Sequence, residues 1–290
     1  MSSLLQGPRV YIETSSLNAI ADDPNLPQVL THLIRNTRLR FYTSLTVVQQ
    51  VVHCENHDRL CHLLAVLHGF GDRLLVFEDP KTVLRKIALS ASNGHTYDPY
   101  CGTRHPTRWL REVSSGRYSL LKSDVRASAD HYRREAEQWA ALYAESRRAI
   151  QSSEAPAHER TRAHLIRHAI QDSSWLRTFA RDVANIGRRR QSAASAGPII
   201  TDPKWQAYLL TLGLSAHRAM AGKKDYNPRR LPDPADLVQS LFLPVVDIFM
   251  VDDRRFARAL RGTRRIGQMR SRVLPYEHFR IQSLLALTSQ

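Results

Sequence analysis

The stretch that decides the fold class of this chain is DPADLVQSLFLPVVDIFMVDDRRF, residues 233–256. A polar turn carrying Asp233 and Asp236 opens a helix, and a later apolar run predicts a strand that stops at Asp252 and Asp253. Acids at the two ends of such a helix–strand unit can meet where the strand stops. Clustered carboxylates are the ligands that a hard divalent cation requires, and a cation held in this way is suited to hydrolysing phosphodiesters.

The first part of the chain alternates short apolar strands with amphipathic helices. We predict strands over 9–13, 39–44 and 74–77, and helices over 16–21, 27–36 and 46–70. Thr14, Ser15 or Ser16 is expected to cap the first helix. This alternation predicts an α/β fold in which a parallel sheet is flanked by helices on both faces.

The middle of the chain has a different pattern. Residues 92–117 are rich in Gly, Pro, Ser and Thr and predict a loop, whereas 124–151 and 157–187 each carry an apolar stripe close to heptad spacing. Two long antiparallel helices are the natural interpretation. We therefore predict an α/β domain built from residues 1–91 and 199–290, with a long helical hairpin inserted as part of residues 92–198.

The α/β pattern returns near Ile199. The predicted elements are a helix over 205–214, a strand over 245–251, a short helix over 256–260, an edge strand at 273–274 and a closing helix over 276–287. Asp247 falls within the predicted strand, where we expect it to form an ion pair.

The charge of the chain is large and uneven. The net charge is +15 over 290 residues, and residues 254–272 hold eight arginines and no acid. A second basic run, 223–230, flanks the acidic stretch on its other side. Positive charge concentrated around one site predicts a polyanionic partner, and we favour nucleic acid. An arginine-rich solvated surface would give the same composition. The residues expected to hold the phosphate backbone are Lys223, Lys224, Arg229, Arg230, Arg254 and Arg255.

Composition also bears on the compartment. No apolar run is long enough to span a bilayer, and the N-terminus lacks the basic and apolar segments of a signal peptide, so we predict no membrane association. A basic helix lying on a membrane surface is disfavoured because residues 254–272 lack a large apolar face. Three cysteines do not make a disulfide framework, and a cytoplasmic location is expected.

Two motifs of the chain point to one family. In VYIETSSLNAI, residues 10–20, an acid and then Thr follow an apolar strand, and this motif resembles the opening strand of the PIN-domain nucleases. LPDPADLVQSLFLPVVDIFMVDDRRF, residues 231–256, resembles the second half, where one acid opens a helix and another ends a strand. Asp236 and Asp253 occupy those positions, seventeen residues apart. The likeness covers about the first eighty and last ninety residues.

The resemblance implies a PIN-like fold and an endoribonuclease dependent on Mg²⁺ or Mn²⁺, with a role as a toxin or defence effector. The implied metal ligands are Glu13, Asp236 and Asp253, with Asp233 and Asp252 in reserve. The residues expected to support these ligands are Thr14, Ser15, Ser44 and Gln50. Structural alternatives are helix capping for Asp233 and Asp236 and a simple turn for Asp252 and Asp253.

One position departs from the family pattern. The family's second acid, counted six residues on from Ser44, is replaced by the neutral Gln50. Three interpretations follow: a nuclease with three acids, a catalytically silent relative that binds nucleic acid, or a chain altered to stop cleavage. An assembly role, in which the helical hairpin binds a protein partner or a second copy of the chain, is a further alternative.

Overall fold

Five short strands form one parallel sheet. The computed structural model describes residues 7–35, 39–52, 54–105, 199, 201–221 and 234–288. The strands, in chain order β1 to β5, are Arg9–Ile12, Arg40–Ser44, Leu74–Phe77, Ile248–Met250 and Arg272–Leu274. They lie in the order β3-β2-β1-β4-β5, and every neighbouring pair is parallel. The predicted α/β fold with a parallel sheet flanked by helices is therefore confirmed.

Helices cover both faces of the sheet. The helices, in chain order α1 to α9, are Thr14–Ala21, Leu26–Arg35, Leu45–Val52, His57–Gly69, Pro80–Ser92, Pro203–Ala221, Pro234–Gln239, Arg254–Gly267 and Tyr276–Thr288. Side chains alternate along each strand. Val10 and Ile12 pack into a core with α1 to α4 and α9, whereas Tyr11 packs on the opposite face with α5 to α8.

The sheet order places the two ends of the chain side by side. β1 pairs with β4 in a register that sets Ile12 beside Met250, so the residues after both strands leave from the same edge. Pairing of β1 with β2 adds the end of β2 to this edge. In open parallel sheets, ligands bind outside the carboxyl ends of the strands. The fold thus brings residues near 13, 44 and 252 together.

Helix α1 is capped differently from the prediction, which placed the cap at Thr14, Ser15 or Ser16. Glu13 is the N-cap, and its carboxylate accepts a hydrogen bond from the Ser15 amide. A glutamate is long enough to fold back onto the first turn, and its negative charge interacts favourably with the helix N-terminus.

The predicted helix over 46–70 is wrong in one respect, since the structure contains two helices, α3 and α4. Asn56 caps α4 by accepting a hydrogen bond from the Arg59 amide at 3.0 Å. An Asn side chain in this role begins a helix. The residues from 53 to 59, HCENHDR, are polar and carry the signal of a helix boundary that the prediction missed.

The strand predicted over 245–251 is shorter than expected. A 3-10 helix, Ser240–Val245, contains Pro244, and β4 begins only at Ile248. Asp247 therefore precedes the strand, where its carboxylate accepts hydrogen bonds from the Arg9 amide and guanidinium. The expected ion pair is confirmed, but its position within the strand is not.

Two helices in this region exceed their predicted lengths. α8 extends over Arg254–Gly267 instead of 256–260, because Asp253 caps it and arginine favours helix. α6 extends over Pro203–Ala221 instead of 205–214. The edge strand at 273–274 and the closing helix over 276–287 are confirmed with small shifts of their ends. The predicted helices over 124–151 and 157–187 lie outside the described residues.

Candidate functional site

Ser15 joins the ends of β1 and β4. Its hydroxyl donates to Oε2 of Glu13 at 2.5 Å and accepts from the amides of Asp252 and Asp253 at 2.9 Å each. One side chain therefore connects the acid after β1 to the backbone after β4, across 238 positions of sequence. The sequence predicted that Ser15 supports a ligating acid, and this contact has the geometry for that role.

Glu13 is a buried carboxyl group, 2% exposed. Burial raises its pKa to about 6, and the charge of Asp253 acts in the same direction, whereas hydrogen bonds from Ser15 and Thr14 oppose the shift. The Ser15 hydroxyl contacts both the Glu13 carboxylate and the Asp253 amide, so the two acids lie near one another and their negative charges repel. A nearby cation would relieve that repulsion and favour the ionised form of Glu13.

The two aspartates after β4 have different local roles. Asp253 caps α8, where its Oδ1 accepts from the amides of Arg255 and Phe256 at 2.8 and 2.7 Å. Asp252 accepts from the Ser16 hydroxyl at 2.5 Å and from the Tyr276 amide at 3.1 Å. Asp252 thus connects α1 to the start of α9, and Asp253 is the aspartate whose charge acts on Glu13.

Asp236 lies on α7, which a hydrogen bond between Gln239 and Tyr11 joins to β1. It lies in the first turn of α7 and is partly buried. Gln239, one helical turn after Asp236, accepts a 2.9 Å hydrogen bond from the hydroxyl of Tyr11, which is fully buried. Burial raises the pKa of Tyr11 well above its usual value; a hydrogen bond with Ser44 lowers it, and the charges of Glu13 and Asp236 raise it further. Both acids are therefore electrostatic neighbours of one buried hydroxyl.

Gln50, six residues after Ser44, lies on α3 against the start of α1. The Thr14 hydroxyl donates a hydrogen bond to Oε1 of Gln50, which connects α3 to the residue that follows Glu13. The neutral amide is a good acceptor for this contact. Ser44 is buried at the end of β2, and its hydroxyl accepts from the Val47 amide at 3.4 Å.

Three residues near this edge are absent from the sequence prediction. Asp79 follows β3 and caps α5, accepting from the amides of Lys81 and Thr82. The Asp79-Pro80 pair is a helix-start signal that could have identified both the cap and α5. Tyr11 and Gln239 carry no such local signal, because their contact depends on the packing of α7 against the sheet.

The carboxylates at this edge of the sheet are the oxygen ligands that a hard cation prefers, but too few of the described ones are grouped to form a complete metal site. Within the described residues, no three His, Cys, Asp or Glu side chains are grouped closely enough to hold a metal ion. The pair Glu13 and Asp253 is a partial set that Asp236 does not complete into a group of three. Mg²⁺ is commonly bound by one or two carboxylates together with waters and substrate phosphates, and a partial set fits that mode.

Basic side chains begin immediately beside these acids. Arg254 and Arg255 are exposed in the first turn of α8, directly after Asp253. The other four residues predicted to hold the phosphate backbone and the reserve ligand lie outside the described residues: Lys223, Lys224, Arg229, Arg230 and Asp233.

Comparisons with known proteins return no match: no family model fits the chain, and no curated protein or solved structure is similar to it. Among the helices that the structure describes, none combines the length and apolar character needed to cross a bilayer.

Proposed function

We propose that this chain is a PIN-like, metal-dependent endonuclease that hydrolyses phosphodiester bonds, with RNA as the favoured substrate. The observation that carries the proposal is the buried Glu13 carboxylate, held by Ser15 beside Asp253 at the carboxyl edge of a parallel sheet. A buried carboxyl group next to a second acid requires a compensating partner. A divalent cation bound jointly with a phosphate is such a partner.

The proposed ligands of Mg²⁺ or Mn²⁺ are Glu13, Asp253 and Asp236. A bound cation supplies an activated water and neutralises charge that develops on the phosphate. Ser15 orients Glu13 through its hydroxyl, and the Thr14–Gln50 contact holds the start of α1 against α3. Arg254 and Arg255 hold the substrate phosphates, since they are exposed next to Asp253.

A second candidate function is nucleic-acid binding without cleavage. It is favoured by Gln50, which places an amide where the family pattern has an acid, and by the incomplete group of acids in the described residues. In this alternative the arginines bind the phosphate backbone and the carboxylates have a structural role. An assembly role for the hairpin concerns residues outside the described ranges.

The deciding experiment is a cleavage assay on fluorescently labelled RNA, single-stranded and structured, with Mn²⁺. The proteins are the wild type, Asp253→Asn, Gln50→Glu and a matched control, Asp72→Asn, in which an exposed acid before β3 is neutralised. The nuclease proposal predicts cleavage by the wild type and the control, and loss of at least tenfold in Asp253→Asn. If only Gln50→Glu cleaves, the silent-binder function is favoured instead.

We further propose that the nuclease acts in the cytoplasm, as a toxin or a defence effector. Cys54, Cys61 and Cys101 all carry free thiols, which supports a reducing compartment. Expression of the wild type and Asp253→Asn under an inducible promoter tests the toxin role. Growth arrest with the wild type alone is the expected result, and equal growth of both strains would contradict it.

A further inference from the structure

We propose that the exposed arginine face of α8 is a track for the phosphate backbone of a nucleic acid strand that leads away from the carboxylates. This inference deepens the proposed function by assigning a binding surface to Arg258, Arg261 and Arg265, beyond the two arginines next to Asp253. All of them are exposed, as are Arg254, Arg255 and Arg264.

The arginines form a straight stripe along the helix. At 3.6 residues per turn, Arg254, Arg258, Arg261 and Arg265 lie within an arc of about 60°. The stripe extends over about 16 Å at 1.5 Å per residue. A nucleic acid strand that follows the stripe presents several successive phosphates to these arginines.

The opposite face of α8 is anchored in the protein. Phe256, Ala257 and Leu260 are buried in the core shared with α5 to α7, and the Thr263 hydroxyl lies 2.7 Å from that of Thr211 on α6. The arginine stripe is thus rigidly presented to solvent. Because the apolar face is already buried, α8 cannot insert it into a membrane surface, which argues against an anionic lipid partner.

The direction of the track follows from the cap. α8 begins at Asp253, the acid next to Glu13, and each turn carries the stripe farther from the site. The stripe places several exposed guanidinium groups on one face of α8, and their positive field attracts a polyanion toward the carboxylates.

The affinity of the arginine track for nucleic acid is expected to be independent of base sequence. Among the described residues, Ile281 is the sole large apolar side chain that is strongly exposed, so this part of the chain offers no aromatic platform on which bases can stack. Contacts to phosphates carry no sequence information directly, and their strength falls steeply with salt.

Equilibrium binding in EDTA tests the track separately from cleavage. The probes are two short fluorescein-labelled single-stranded RNAs of unrelated sequence, titrated over a range of salt concentrations. The double variant Arg261→Gln/Arg265→Gln is compared with Arg40→Gln/Arg85→Gln, which removes the same charge from exposed positions at the start of β2 and on α5. Vesicles of anionic phospholipid serve as a competing polyanion, and thermal melting checks that each variant is folded.

We expect the double variant to reduce the slope of log Kd against log salt by about 1.4 for both RNAs, at about 0.7 per lost phosphate contact. The control should keep the wild-type slope. Equal losses in both variants would show that net charge alone matters and would overturn the track, as would binding to vesicles but not to RNA. RNA binding with the expected slopes but no cleavage would overturn the nuclease and leave the track standing.

Discussion

The Tyr11 hydroxyl donates a 2.9 Å hydrogen bond to Oε1 of Gln239 and thereby joins β1 to α7 across 228 positions of sequence. Tyr11 lies two residues before Glu13, and Gln239 lies one helical turn after Asp236. Gln239 also donates to the Ala235 carbonyl at 3.1 Å, which fixes its own orientation. The contact therefore sets the position of α7, and with it Asp236, relative to Glu13.

Tyr11→Phe should destabilise the protein by about 1–3 kcal/mol, because the buried Gln239 oxygen loses its donor. The measurement is the free energy of unfolding in urea. Gln239→Leu in the Tyr11→Phe background removes both partners, and the double variant should lose less than the sum of the two single losses. Additive losses would show that the two side chains are not coupled.

Glu13→Gln should increase stability at neutral pH. The folded-state pKa of Glu13 is about 6 against an ordinary value of 4.5. The folded state therefore binds a proton more tightly than the unfolded state, so the stabilising contribution is present below pH 4.5 and is lost as the pH rises through 6. A shift of this size corresponds to about 2 kcal/mol.

Urea unfolding of the wild type and Glu13→Gln between pH 4 and pH 8 provides the measurement. The variant should be more stable by about 2 kcal/mol at pH 8, and the difference should vanish near pH 4. Asp72→Asn, which neutralises an exposed acid, is the control. A difference that does not change with pH would contradict a raised pKa for Glu13.

Mn²⁺ should stabilise the wild type against heat. A ligand that binds only the folded state at one hundred times its Kd adds about 2.7 kcal/mol to the free energy of unfolding. The increase in melting temperature should be largely absent in Glu13→Gln and Asp253→Asn and should be greater in Gln50→Glu, which restores a carboxylate. An equal increase in all four proteins would place the cation elsewhere.

Ser15→Ala should weaken the connection between β1 and β4. The substitution removes a donor to the buried Glu13 carboxylate and the acceptor for two backbone amides, and we expect a loss of about 2 kcal/mol in the free energy of unfolding. Ser15→Thr keeps the hydroxyl and should retain most of the stability. If Ser15→Thr and Ser15→Ala lose equal stability, the hydroxyl is not the important group.

Local sequence patterns were sufficient for most elements of the fold. The strands around Val10, Phe41 and Val76 are short apolar runs. These signals act over a few residues, so a single sequence reveals them. The pattern failed near Asn56, where two helices replace the predicted one, and near Pro244, where a 3-10 helix replaces the predicted start of a strand.

The candidate site was predictable as a set of residues but not as an arrangement. The spacing of Asp236 and Asp253 and the acid after the first strand are visible in the sequence. The different hydrogen-bond partners of Asp252 and Asp253 are not visible in the sequence, because the two residues are chemically identical neighbours. The structure distinguishes them through partners far away in the chain, Ser16 and Tyr276 for Asp252 and the first turn of α8 for Asp253.

The sequence by itself determined that strands and helices alternate in the first and last parts of the chain and that residues 254–272 are strongly basic, since composition, propensity and periodicity are properties of neighbouring residues. Only the tertiary structure decided that β1 lies between β2 and β4, that Glu13 is buried, and that Ser15 and Tyr11 connect it to the second half of the chain. The pairing of β1 with β4 and the contacts of Ser15 and Tyr11 join residues more than two hundred positions apart, and no local pattern encodes them.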